Sequence, residues 1–237
     1  MNYGVAAFTE PDTDQTVGSY VALWSTSERR RNVSNDAEDQ ARAAAVFRDT
    51  IGHFEEAPLD YAVGGGLATD HWTGGATNIA DIDLVIREQD SRDILQRLGS
   101  AGYDTTEMED SWLHKAFKDG VTIDLMFELK NGTRFDRLFK EHRKRGDMFG
   151  TRCFVMAPED QVPALAGTVA RDTIGQHWFN IMNLMANNDL EWDYVIARSK
   201  DVPRRMLSVV HFAVAEQVPV PKGVIEQLTE MVAAAER

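Results

Sequence analysis

Tyr61-Ala62-Val63-Gly64-Gly65-Gly66-Leu67-Ala68-Thr69-Asp70, followed shortly by Asp81-Ile82-Asp83-Leu84-Val85-Ile86, is the stretch that decides the fold. Tyr61 to Val63 reads as a short strand running into the glycines, and Leu67 to Trp72 as a brief helix ended by Gly74-Gly75. Without a Cβ the glycine backbone turns sharply and approaches a ligand closely, while a helix N-terminus offers N–H donors to an anion. A glycine run after a strand is, taken alone, more often a plain turn. Asp81 to Ile86 alternates polar and apolar at first and reads as a strand. Residues i and i+2 of a strand share a face, so both carboxylates project together with Cα atoms roughly 7 Å apart. Like charges this close repel unless a cation lies between them, and hard oxygen donors suit Mg²⁺. The alternative for Asp-x-Asp is a solvated strand face.

Working outward, Asn35 with Glu38 reads as a capping box. It opens a helix on which Ala43, Ala44, Val46, Phe47, Ile51 and Phe54 recur at helical spacing. After the Asp pair, Asp90 or Ser91 caps a helix reaching about Ala101. Strands near His114 to Phe117 and Val121 to Phe127 are joined by Lys118-Asp119-Gly120, where Asp-Gly signals a hairpin. Asp124 lies in the apolar run Val121-Thr122-Ile123-Asp124-Leu125-Met126-Phe127. A carboxylate in so apolar a strand is either satisfied at the surface or a third cation ligand beside the Asp pair. Phe135 to Lys144 reads as a helix and Cys153 to Met156 as a strand. Beyond Pro158 the strand signals stop, and helices are expected at Gln161 to Arg171, Gln176 to Asn187, Trp192 to Ser199, Val202 to Gln217 and Lys222 to Ala235. The expected organisation is an irregular extension over 1–34, a mixed α/β unit over 35–157 and a helical unit over 158–237.

These residues resemble the nucleotidyltransferase superfamily that includes DNA polymerase β and the aminoglycoside nucleotidyltransferases, most of all the aminoglycoside 2″-nucleotidyltransferase type. The pattern is a glycine pair at a strand-to-helix turn, then an Asp-x-Asp, then an acidic residue on a later strand. Here it appears as Gly65-Gly66-Leu67-Ala68-Thr69-Asp70, Gly74, Thr77-Asn78 and Asp81-Ile82-Asp83. The spacing is about one residue short, and Asn78 stands where the family often has Arg, which removes a phosphate contact. The resemblance implies an α+β fold: a nucleotidyltransferase-type mixed β-sheet flanked by helices, then a C-terminal helical bundle. It implies Asp81, Asp83 and Asp124 as catalytic metal ligands for two Mg²⁺ ions, with Mn²⁺ as a substitute. Gly64, Gly65, Gly66, Thr77 and Asn78 would hold the nucleotide. The implied reaction moves a nucleoside monophosphate from a nucleoside triphosphate such as ATP onto a hydroxyl of a small, aminoglycoside-like acceptor. Two alternatives stay open: a transferase acting on tRNA or protein, and an inactive binding module.

The formal net charge of −13 disfavours a general nucleic-acid binder, because an acidic surface repels phosphate backbones. The basic run Arg134, Arg137, Lys140, Arg143, Lys144 and Arg145 is a solvated helix face or a phosphate contact, with Lys115, Lys200, Arg204 and Arg205 as competitors. The single cysteine, Cys153, excludes an internal disulfide and reads as a small core residue. The histidines show no His-x-x-x-His spacing, so no zinc site is read. The N-terminus lacks a signal-peptide pattern and no membrane-length apolar run occurs, so a cytoplasmic location is expected.

Overall fold

The computed structural model describes residues 36–75, 78–108, 112–168 and 174–236. The expected extension over 1–34 and the Asn35 cap lie outside the described residues, and so does Thr77. Helix α1 (Ala37–Glu56) is instead capped by Asp36, whose side chain accepts from the backbone N–H of Glu38 at 2.8 Å. Strand β1 (Tyr61–Val63) leads through Gly64 into α2 (Gly65–Thr73), which Gly74 ends in the left-handed conformation. Strand β2 (Ile82–Ile86) starts one residue later than expected, leaving Asp81 just ahead of it. Helix α3 (Ser91–Ser100), β3 (Asp104–Thr106), β4 (Leu113–Lys118) and β5 (Val121–Met126) follow. The β4–β5 turn puts Asp119 and Gly120 at φ 49° and 77°, the geometry an Asp-Gly hairpin provides.

The sheet has seven strands in the order β3-β4-β5-β2-β1-β7-β6. Pairing is parallel for β2 with β5 and for β1 with β7, and antiparallel elsewhere. The alternation of β2 and β5 separates two apolar clusters. Ile82, Leu84, Ile86, Ile123 and Leu125 pack with Phe47, Ile51 and Phe54 of α1 and Ile94 and Leu98 of α3. Val85 and Met126, on the opposite face, pack with Ala62, Leu113, Leu129, Phe139 and Met156. Each strand therefore spends its odd and even positions on different layers, and the carboxylates of Asp83 and Asp124 belong to the second face.

The expected helix Phe135 to Lys144 is shorter. Helix α4 (Arg137–His142) stops where Arg143 turns extended, and Lys144 opens a strand not foreseen, β6 (Lys144–Met148). It pairs with β7 (Thr151–Val155) through a two-residue turn at Phe149-Gly150, both with positive φ. Every described element beyond it is a helix: α5 (Pro158–Gly167), α6 (Ile174–Asn187), α7 (Trp192–Arg198), α8 (Pro203–Ala215) and α9 (Lys222–Ala235). These helices bury their own core, including Val162, Ile181, Met185, Val195, Val209, Val210 and Leu228.

A buried polar clasp ties this helical region to the sheet. Arg198 of α7 bridges Asp160 of α5 at 2.9 Å and Asp136, the N-cap of α4, at 2.7 Å. Tyr194 donates to Asp160 at 2.9 Å and stacks on His142. Burial pushes the Asp160 carboxyl up to about 6, opposed by Arg198 and Tyr194. A buried charge of this kind is tolerated only because its partners meet it. Trp72 of α2 makes a second link, touching both cores and donating to the Met156 carbonyl at 2.7 Å. Cys153 is a fully buried free thiol, as its place in an apolar strand suggested. Among the described residues no helix is long and apolar enough to cross a membrane.

Candidate active site

Strand register brings the chemistry-bearing residues into one row. Lys115 of β4 stands opposite Asp124 of β5, and Asp124 stands opposite Asp83 of β2. The Asp83 carbonyl in turn accepts from the Gly64 N–H at 2.8 Å. Directly opposed residues project to the same face, and neighbouring strands lie about 4.8 Å apart, so the row Lys115–Asp124–Asp83–Gly64 crosses β4, β5 and β2 and ends at the glycine turn after β1. Asp83 and Asp124 are both half-buried, and Asp81 is exposed. Lys115 satisfies Asp124 with an ammonium 2.6 Å from its Oδ1.

The two leading glycines have different jobs. Gly65 sits at φ 56°, and a Cβ there would lie 1.7 Å from Oδ2 of Asp83. The Asp83 carboxylate thus rests against the turn itself, in space only glycine leaves open. At Gly64 a Cβ would meet Val85, Met126 and Met156 at 3.4 to 3.7 Å, which is ordinary contact. Asn78 lies in the segment between α2 and β2, outside the regular elements.

Sequence reading did not foresee Gln161. From α5 its amide nitrogen donates to the Gly65 carbonyl at 2.6 Å and to the Thr69 hydroxyl at 3.1 Å. Thr69 also donates to the Gly65 carbonyl at 3.1 Å. The helical region thereby grips the glycine turn from below, while Gln161 Oε1 is buried with no hydrogen-bond partner. Its only sequence signal was a third polar residue, after Glu159 and Asp160, in the first turn of a helix that is apolar beyond it.

The basic run goes elsewhere. Lys140 and Arg143 bond Asp60 at 2.8 and 2.9 Å, Arg87 joins them, and Arg143 also donates to the Tyr61 carbonyl at 2.6 Å. Arg145 pairs with Glu55 at 2.6 Å, and Arg134 with Glu88 and Glu128. Asp60 and Tyr61 mark the start of β1, the end away from Gly64, so Lys140 and Arg143 clamp that end of the sheet rather than facing the glycine turn. Desolvation, helped by the nearby Arg145 charge, holds the Arg143 guanidinium down to about 10, and the guanidinium lies over the rings of Phe154 and Phe135.

The donor set on the row is all carboxylate oxygen, which fits a hard divalent cation. The backbone places Asp83 and Asp124 side by side, with Asp81 two residues upstream of Asp83. Among the described residues no three of His, Cys, Asp and Glu are already gathered around one point.

Comparison with solved structures places the fold. The antigenic nucleotidyltransferase-like protein from Paracoccidioides brasiliensis is similar at a TM-score of 0.55 and 14% identity, over 78% of this chain and 96% of that one. The antibiotic-resistance factor ANT(2″)-Ia in solution is similar at a TM-score of 0.51 and 14% identity, over 73% and 97%. No curated protein sequence matches the chain. A family model described as uncharacterised nucleotidyltransferase matches residues 64–215, from the first glycine of the turn to the end of α8. That span carries the whole row and most of the helical region, and the chain belongs to this nucleotidyltransferase family.

Proposed function

We propose that the protein transfers a nucleoside monophosphate from a nucleoside triphosphate to a hydroxyl of a small-molecule acceptor, with divalent metal, Mg²⁺ or Mn²⁺, at the carboxylate row. The observation that carries this is the in-register placement of Asp83 beside Asp124, with the Asp83 carboxylate against Gly65. Asp81, Asp83 and Asp124 would hold the metal, which when bound neutralises charge developing on the transferring phosphoryl group.

The chain's own groups do the rest. The amides of Gly65 and Gly66, at the N-terminus of α2, would hold the β- and γ-phosphates, while Gly64 fixes the turn by donating its N–H to the Asp83 carbonyl. Gln161 and Thr69 fix the Gly65 carbonyl, and with it the plane of the following peptide. Asp124 accepts the acceptor hydroxyl's proton as that oxygen attacks the α-phosphorus in line, and pyrophosphate leaves. An acidic surface favours a neutral or cationic acceptor, and an aminoglycoside-like molecule has that chemistry. The fold shared with an antibiotic-resistance factor agrees with this choice.

The test combines binding and turnover. Calorimetry with and without chelator should show triphosphate affinity falling by at least about tenfold when divalent metal is removed. Labelled triphosphates incubated with aminoglycosides, tRNA and proteins should label the small molecules, with products identified by mass. Equal, tight nucleotide affinity in chelator would remove the metal from the reading, and label on tRNA or protein alone would replace the acceptor.

Gln161→Leu tests the support beneath the turn. Loss of a buried donor to Gly65 and Thr69 should weaken triphosphate binding roughly tenfold, the worth of one such hydrogen bond. Affinity unchanged in a folded variant would reduce Gln161 to a packing residue.

A further inference from the structure

Asp124 has a cation on one side and a carboxylate on the other. Across β4–β5 it faces Lys115, at 2.6 Å, and across β2–β5 it faces Asp83. The pair is partly open to solvent, with Lys115 31% and Asp124 17% exposed. A cation arriving from solution can therefore reach it. Lysine suits a temporary role: its ammonium is a compact point charge on a flexible stem, without the fixed two-point grip of arginine.

We propose that Lys115 is the resident counter-ion of the cation site. It holds Asp124 while no divalent ion is bound, yields that carboxylate when the metal–triphosphate enters, and then turns its ammonium to the incoming polyphosphate. This rests on the proposed function above and adds a residue to it. Two like charges in register on adjacent strands repel each other, and a compensating cation relieves that repulsion. Lys115 supplies it in the empty enzyme, so the metal must displace it. Free metal thus binds weakly, and metal carried by a triphosphate binds well, because the polyphosphate accepts the displaced ammonium. The result is an order of assembly: the carboxylates close on metal chiefly when nucleotide accompanies it.

Mn²⁺ binding, read by paramagnetic resonance, tests this directly in the full chain. It is measured for the parent, Lys115→Met, Lys115→Arg and Asp124→Asn, with and without a non-hydrolysable triphosphate analogue. Without nucleotide, Lys115→Met should bind Mn²⁺ more tightly than the parent by on the order of tenfold. Lys115→Arg should bind no more tightly than the parent, and Asp124→Asn more weakly. With the analogue the advantage of Lys115→Met should shrink or reverse, since the ammonium no longer meets the phosphates. Thermal unfolding establishes that each variant is folded, and Lys115→Gln, which keeps a hydrogen-bond donor, replaces the methionine variant if that one is not. Nucleotide-free Mn²⁺ affinity at or below the parent's in the neutral variant overturns the proposal. If the parent still binds Mn²⁺ with the analogue, the nucleotidyltransferase reading survives that result. Absence of Mn²⁺ binding in every protein, with and without analogue, removes both.

Discussion

Alanine at position 65 is expected to lower nucleotide transfer by at least about a hundredfold while costing only modest stability. Two separate effects act at one residue. The left-handed backbone at φ 56° costs an L-residue about 1–2 kcal/mol. That is a small part of a domain's stability and leaves the fold in place. The added Cβ would also lie 1.7 Å from Asp83 Oδ2, an impossible approach. Either the turn opens or the Asp83 carboxylate swings away, and each displaces a proposed metal ligand from the proposed phosphate cradle. Misplacement of about 1 Å near a reacting centre is enough for a hundredfold loss. Gly64→Ala is the internal comparison. Its Cβ would make ordinary contacts from 3.4 Å, so its loss should be far smaller although it adds the same methyl one residue away. The measurement is transfer rate and thermal midpoint for both variants. Equal activity of the two folded variants would show that the closeness of Asp83 to the turn has no part in catalysis.

That distinction between adjacent glycines was not legible in the sequence, although the turn itself was. What sequence could give here is local. Ile82 and Leu84 alternate with Asp81 and Asp83, so the strand and the shared face of the two carboxylates were readable from the local pattern. The two strands that escaped notice are the two edges of the sheet, β3 and β6. Asp104-Thr105-Thr106 is exposed throughout and has no apolar face to announce a strand. In Lys144–Met148 only Gly146 and Met148 are buried; Lys144 reads as the end of the preceding helix, and the residues after it have no apolar run to announce a strand. Charged edge strands resist pairing with other chains, and the same charges hide them from pattern reading.

The site divides the same way. The i, i+2 relation of Asp81 and Asp83 is a property of one strand. The register that sets Asp124 beside Asp83, and Lys115 beside Asp124, joins residues far apart in the chain through hydrogen bonds that no local period encodes. Gln161 reaches Gly65 across 96 positions, and its role exists only once α5 packs beneath α2. The basic run shows the converse. Its residue types suggested a phosphate, and its destination was fixed by Asp60 and Glu55, acidic residues outside the run.

Asp124→Asn is the second variant with a large expected effect, and Lys115 sharpens what it should do. The substitution keeps the shape of the side chain, and the amide oxygen can still accept from the ammonium at 2.6 Å. What goes is the negative charge and the basic lone pair. Because the pair is partly exposed, the stability lost should be about 1 kcal/mol or less, the range of a solvent-screened ion pair. Transfer should fall far more, since a general base alone is worth about 10²–10⁴-fold and a metal contact is lost with it. Triphosphate binding should largely survive, because Asp81, Asp83 and the glycine turn remain. A KM near the parent's with a collapsed kcat is therefore the signature of the proposed role. A purely structural Asp124 predicts the reverse, with a lowered unfolding midpoint and near-normal turnover per folded molecule. Both quantities measured on one preparation decide between them. Full activity in the folded variant would take Asp124 out of the mechanism and leave the site to Asp81, Asp83 and the turn.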